Sequence, residues 1–436
     1  MSPRRVFALL IIMLLAACAR GPGEATRLTT PSPAPPSATA PVPTQRATPT
    51  PRATALPTRS APTWTPAPPL PGATLTVTAT PRLAATPSAT PASPDAPPHV
   101  AVVASGLRIP WALAFAPDGR LFFTERPGRL RVIEAGQLRP QPVAELPVAA
   151  AGEGGLLGLA LDPDFGANGY LYVMYTYRQG QALRNRISRL TLKGAQAGDE
   201  MVLLDGILGA ANHDGGRLKI GPDGKLYATC GDAQQRDLAQ ARDSLNGKIL
   251  RLNRDGTIPA DNPFPGSPVY SVGHRNPEGL AWQSGTGRLY ATEHGPSGEM
   301  GLCCLDELNL IVPGGNYGWP VVTDAPGDPR FLDPVLHSGA DTWAPSGAAF
   351  YEGEAFPAWR GDLFFGALRG EHLHRLRLGG ADGRTVLQEE RLFVGQFGRL
   401  RDVVLGPDGA LYLTTSNQDG RGRPAADDDR ILRVAP

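Results

Sequence analysis

A histidine stands beside two glycines and an arginine in Asn212-His213-Asp214-Gly215-Gly216-Arg217-Leu218, just ahead of Lys219-Ile220-Gly221-Pro222-Asp223-Gly224-Lys225-Leu226-Tyr227. A neutral imidazole near pH 7 suits the removal of a proton from a hydroxyl group. Alone, a histidine beside a turn is more often a surface or structural residue than a catalyst. Arg275-Asn276 before Pro277 is equally bland by itself, a turn carrying a surface charge. Arg399 and Arg401 stand two apart in a strand-like run, so both guanidinium groups face one side and suit bidentate pairing with carboxylates.

These residues gain meaning only if the fold brings them together, and the sequence contains a repeat that would do so. Pro117-Asp118-Gly119-Arg120-Leu121-Phe122, Pro222-Asp223-Gly224-Lys225-Leu226-Tyr227 and Pro407-Asp408-Gly409-Ala410-Leu411-Tyr412 are three clear copies. Weaker copies centre on Leu171, Leu289 and Leu363, giving marker intervals of 50, 55, 63, 74 and 48 residues. Turn residues followed by a leucine and an aromatic on alternate faces mark a hairpin inside a sheet. Six such units with several short strands each predict an all-β, six-bladed β-propeller over residues 98–436. The longer intervals predict long loops between about residues 230 and 350. Val100 to Val103 and Ile431 to Val434 are both β-branched runs, so the first strand should complete the last blade and close the ring.

Ahead of the propeller the chain has a different character. Arg4-Arg5, an apolar run from Val6 to Leu15 and then Leu15-Ala16-Ala17-Cys18 read as a secretory signal, too short to span a bilayer. The ending resembles a bacterial lipobox and implies a lipid anchor on Cys18, so residues 1–18 are expected to direct export to the cell envelope. Residues 19–97 are dominated by Pro, Thr, Ala and Ser and are expected to form a disordered tether. In polyproline II form a linker of roughly 80 residues reaches on the order of 200 Å. A net charge of +1 and the lack of any dense Lys/Arg patch argue against nucleic acid as a partner. Cys230, Cys303 and Cys304 form no disulfide framework and no CxxC metal spacing. The adjacent pair is open to three readings: a vicinal disulfide, two thiols, or pairing of one with Cys230.

Nine motifs in order carry a resemblance to a known family. They are Ile109-Pro110-Trp111-Ala112-Leu113-Ala114-Phe115, Gly152-Glu153-Gly154-Gly155-Leu156-Leu157-Gly158, the His213 stretch, Gly273-His274-Arg275-Asn276-Pro277, Glu293-His294-Gly295-Pro296, Asp306-Glu307-Leu308-Asn309, Gly315-Asn316-Tyr317-Gly318-Trp319-Pro320, Ala344-Pro345-Ser346-Gly347 and Arg399-Leu400-Arg401-Asp402. The chain from about residue 100 to its end resembles the glucose/sorbosone dehydrogenases, six-bladed quinoproteins that use pyrroloquinoline quinone. The resemblance implies oxidation of an aldose sugar, with His213 as general base and electrons passed to an external acceptor. It implies that Arg275 stabilises charge on the quinone, that Asn276, Arg369, Arg399 and Arg401 contact the cofactor with it, and that the Gly295 and Pro296 carbonyls hold calcium.

Three positions depart from the soluble glucose dehydrogenases. Arg369 stands where they carry lysine, Asn212 where they carry aspartate, and Glu153 where they carry glutamine. Glu153 and Asn212 are expected to face the sugar, so substrate preference should differ from that of the glucose enzymes. Asp427-Asp428-Asp429 is read as a solvated loop in preference to a second calcium site. The competing functional readings are a cofactor-free propeller binding carbohydrate or protein, and a metal-dependent lactonase. The second would need several inward acidic ligands around one ion, where the motifs supply backbone carbonyls and arginines.

Overall fold

The computed structural model describes residues 97–436, so the signal segment with Cys18 and almost all of the tether lie outside the described residues. The described chain is a six-bladed β-propeller, with five sheets of four strands and one of five. The innermost strands of blades 1 to 6 are Pro110–Phe115, Leu156–Leu161, Leu218–Ile220, Pro277–Trp282, Pro345–Phe350 and Leu400–Leu405. Each is followed by an antiparallel partner, and the six predicted markers sit at the start of these second strands. In the clear copies the turn is closed by the glycine N–H, as in Gly119 to Ala116, Gly224 to Gly221 and Gly409 to Gly406. These glycines have φ of 87°, 71° and 75°, a region that other residues enter only at a cost.

The marker dipeptides also explain how the ring coheres. Leucine and aromatic point to opposite faces of the blade, and each face packs against a different neighbour. Phe122 and Leu171 share one apolar cluster, Tyr172 and Leu226 the next, and Tyr227 and Leu289 a third. Tyr290 packs with Leu363, Phe364 with Leu411, and Tyr412 with Leu121, which returns to the first blade. Six inter-blade cores are thus linked in a cycle, each large side chain contributing about 1.5–3 kcal/mol by leaving water.

Closure follows the expected route. His99–Ala104 is the outermost strand of blade 6 and pairs antiparallel with Ile431–Ala435, with Val100 opposite Val434. The aspartates before this strand correct the expectation of a solvated loop, because Asp428 and Asp429 are buried. Asp429 accepts from the Asn417 N–H at 2.5 Å and the Thr415 hydroxyl at 3.1 Å, and its backbone exchanges hydrogen bonds with Leu107. Asp428 accepts from Asn417 Nδ2 and from Arg430 Nε. Both carboxylates latch the seam of the ring, and only Asp427 of the three is exposed.

At the centre, Arg217 Nη1 lies 3.0 Å from Asp402 Oδ1, with both side chains 1% exposed. Arg217 Nε donates to the Glu278 carbonyl at 2.8 Å, and its guanidinium lies over the Trp111 ring at 4.2 Å. Asp402 Oδ2 accepts from the Leu113 N–H at 2.8 Å. Replacing Asp402 by alanine should leave a buried, unpaired guanidinium and cost on the order of 3–5 kcal/mol. Urea denaturation of Asp402→Ala against the wild type measures that loss, and a change below about 1 kcal/mol would show that the pair does not hold the ring.

Candidate active site

The loops that enter the innermost strands and leave the second strands converge at the end of the ring opposite the marker turns. They enclose a cavity of about 640 Å³ whose wall includes His213, Arg275, Arg369, Arg399, Arg401, Glu153, Asn212 and Pro296. Most residues singled out from sequence therefore meet in one place, within the size range of small-molecule sites. Two lie just off that wall. Gly295 packs so closely under the loop that a Cβ there would sit 2.0 Å from the Cys304 carbonyl oxygen. Asn276 is fully buried, accepting from the Gly215 N–H at 2.9 Å and donating to Glu278 Oε1 at 3.3 Å. Its carboxamide steadies the glycine pair beside His213.

His213 is held from three sides. Its backbone sits at φ 65°, a left-handed conformation that a non-glycine residue keeps only when its surroundings dictate it. Its N–H donates to Glu153 Oε2 at 2.7 Å, and its carbonyl accepts from the Ala233 N–H. The ring Nδ1 lies 2.7 Å from Asp232 Oδ1, which also accepts from the Gln234 N–H, while Asp232 Oδ2 accepts from Trp319 Nε1 at 2.8 Å. A carboxylate in that position assigns the proton to Nδ1, which leaves Nε2 as the ring's acceptor on the cavity wall, 3.8 Å from Glu299 Oε1. This is the arrangement of a general base with an orienting carboxylate.

The cationic wall is organised by internal carboxylates. Arg399 pairs with Asp419 at 2.8 Å, and Arg401 with Glu278 at 3.1 Å. Arg275 is buried, its Nη1 donates to the His294 carbonyl, its Nη2 pairs with Glu299, and its buried Nε has no partner. Arg369 is exposed at the rim, with no side-chain hydrogen bond or ion pair to a described residue. Five arginines line the cavity, four of them paired with Glu299, Asp419, Glu278 and Glu153, which fixes a dense array of N–H donors suited to the carboxylates of an anionic ligand. Among the described residues no cluster of three or more His, Cys, Asp or Glu side chains forms a metal cage. A divalent ion here would have to draw on backbone and ligand oxygens.

Sequence reasoning did not single out Asp232, Glu278, Glu299, Asp419 or Arg421. Asp232 lies two residues past the second strand of blade 3, and Glu278 directly after the Gly273–Pro277 motif, so position relative to the repeat carried a usable signal. Arg421 carried none, because it reaches Glu153 and Asn212 from the far end of the chain. Burial works against the charge of Glu153, but the His294 imidazole and the Arg421 hydrogen bond outweigh it and hold the carboxyl at about 2. Among the three readings of the cysteines, the structure has Cys303 and Cys304 joined to each other, on the cavity wall, with Cys230 a buried free thiol.

Comparison with known proteins bears on the chemistry of this cavity. The profile of the family described as Glucose / Sorbosone dehydrogenase matches residues 107–432. The chain is 35% identical over 365 residues to the aldose sugar dehydrogenase of Escherichia coli, covering 78% of this chain and 93% of that protein. It is 31% identical over 430 residues to quinoprotein glucose dehydrogenase B of Acinetobacter calcoaceticus, covering 76% and 88%. The solved PQQ-bound aldose sugar dehydrogenase of Streptomyces coelicolor superposes with a TM-score of 0.69 at 40% identity, covering 79% of this chain and 99% of that one.

Two outcomes are expected. The unfolded, unreduced propeller should show one reactive thiol and the reduced propeller three, by alkylation and mass measurement; three before reduction would refute the Cys303–Cys304 bond. Because the folded state depresses the Glu153 carboxyl from 4.5 to about 2, its stabilising contribution is complete above pH 4.5 and is lost as pH falls toward 2. The stability gap between wild type and Glu153→Gln in urea should therefore be wide at pH 7 and narrow markedly by pH 3. A gap independent of pH would remove Glu153 from the ion-pair chain.

Proposed function

Because the chain belongs to the glucose/sorbosone dehydrogenase family and its relatives include proteins named aldose sugar dehydrogenase and quinoprotein glucose dehydrogenase, we propose that it is an aldose dehydrogenase with pyrroloquinoline quinone and calcium as resident cofactors. The observation that carries this reading is the opening of His213 Nε2 onto the same cavity as five arginines. A module that only binds carbohydrate or protein has no need of an oriented base facing a cationic wall. Electrons pass on to an external acceptor, and the protein works outside the cytoplasm, anchored to a membrane through lipid on Cys18.

Bound in this cavity, pyrroloquinoline quinone supplies the two-electron acceptor for hydride from C1 of the sugar. Arg369, Arg399 and Arg401 hold its carboxylates, two of them pre-set by Asp419 and Glu278. The Gly295 and Pro296 carbonyls would hold a calcium ion, whose charge would offset that of the cofactor's carboxylates and polarise the quinone. Arg275, which pairs with Glu299 in the protein, would stabilise negative charge growing on the quinone. His213 Nε2 takes the proton of the C1 hydroxyl, and Asp232 stabilises the imidazolium through Nδ1–H. Asn276 acts one step back, fixing Gly215 beside the base.

Reconstitution of the purified protein with the quinone and calcium, followed by dye reduction with a panel of aldoses, tests the reading. Cofactor binding and turnover are expected, and absence of both would overturn it. His213→Gln should lower kcat by about 10²–10⁴-fold while leaving cofactor affinity within a few-fold. Arg401→Ala should chiefly weaken cofactor binding, measured by absorbance titration. The reverse pattern would show the two roles to be misassigned.

A further inference from the structure

The loop between the second and third strands of blade 6 reaches over the cavity mouth and places Arg421 between two residues of other blades. Arg421 Nη1 lies 2.5 Å from Glu153 Oε1, and Nη2 donates to Asn212 Oδ1. The loop is anchored behind this contact. The Arg421 N–H donates to Asp419 Oδ1 at 2.9 Å, and Asp419 Oδ2 is held by Arg399. Further along, Asp428 and Asp429 fix its return to the sheet. A half-exposed arginine is usually a solvated charge, but this one ends a connected chain: Arg421 to Glu153, and Glu153 to the N–H of His213.

We propose that Arg421 contacts the sugar and determines specificity, reading the hydroxyl groups farthest from the reacting carbon. The inference rests on the dehydrogenase reading above and adds a residue to it. Depth orders the site. Arg275 and the base lie at the buried end, whereas the Arg421 side chain is 51% exposed. An aldose with C1 at His213 Nε2 therefore directs its far end toward Arg421. A guanidinium has five N–H donors in a fixed fork, and the two contacts engage only part of them, leaving donors for sugar oxygens. Burial opposes the charge of Arg421, but the hydrogen bond and the charge of Glu153 more than offset this, and Glu153 in turn stays ionised. The pair is neutral as a unit, so it recognises the arrangement of donors and acceptors and not net charge. The ligand class that fits is a neutral polyhydroxy aldose, discriminated by the configuration of its distal hydroxyls.

The test compares wild type, Arg421→Ala and Arg421→Lys on aldoses that differ only at distal carbons, such as glucose and galactose. Steady-state kcat/KM, calorimetric sugar affinity and cofactor affinity are all measured. Arg421→Ala should raise KM about tenfold, shift the ratio between epimers about fivefold or more, and leave cofactor affinity within twofold. Arg421→Lys, which keeps charge but loses the fork, should recover part of the KM and little of the epimer ratio. Epimer ratios within twofold of wild type in both variants would overturn the proposal, because a purely structural arginine weakens all sugars alike. If Arg421→Ala does not fold, the lysine variant alone decides on the same ratio. Failure of the wild type to bind cofactor or reduce dye counts against the parent reading, and the calorimetric epimer ratio still decides the role of Arg421.

Discussion

The Arg217–Asp402 pair sits where the innermost strands converge, and each of its two charges loses several kcal/mol of hydration there. The pair is held from around the ring: Arg217 Nε and Asp402 Oδ2 each have a hydrogen-bond partner, whereas the buried Arg217 Nη2 and Asp402 Oδ1 have none beyond the ion pair itself. Blade 1 supplies the Trp111 face and the Leu113 N–H, blade 4 the Glu278 carbonyl, and blade 6 the aspartate itself. Blade 5 supplies the absence of a side chain, since a Cβ on Gly347 would lie 1.9 Å from Asp402 Oδ1. From the same hub the Glu278 carboxylate accepts from Ser346 and Arg401, so the floor of the cavity is continuous with the centre of the ring.

This continuity decides how the site carries its charge. An arginine free to move would lose side-chain entropy on binding an anion, whereas Arg399 and Arg401 are already held by Asp419 and Glu278. The carboxylates reduce the net positive charge of the wall, and in exchange they fix where it points. His213 follows the same logic, with backbone and ring each given an acidic partner, Glu153 and Asp232. Preorganisation of this kind is how a polar site avoids reorganisation during the reaction.

The fold was legible because its signal is local and repeated. A turn, a leucine and an aromatic recur six times, and each pair serves two adjoining cores, so the pattern is bound to the packing that requires it. Closure was legible for the same reason, from two β-branched runs at the ends of the domain. The site was legible where ordered motifs marked it, as at His213, Arg275, Arg399 and Arg401. It was opaque where a contact depends on loops that meet only after the ring has closed. Arg421 meets Glu153 across a separation of 268 residues, and no local pattern announces such a meeting. Asp428 and Asp429 misled for a related reason: three acidic residues in a row look solvated, yet two turn inward to bind the backbone of the seam.

That seam has a mechanical meaning. The first described strand, His99–Ala104, is hydrogen-bonded along one edge only, by its ladder to Ile431–Ala435. Tension applied upstream of His99 would fall first on that ladder and on the packing of Val100, Val103 and Ala104 against the neighbouring cores. Behind the ladder lies the loop that holds Arg421 over the cavity, its base latched by the same two aspartates that bind the seam. The strand by which the described chain enters the domain and the loop at the cavity mouth thus belong to one sheet, and the stiffness of that sheet is shared between them.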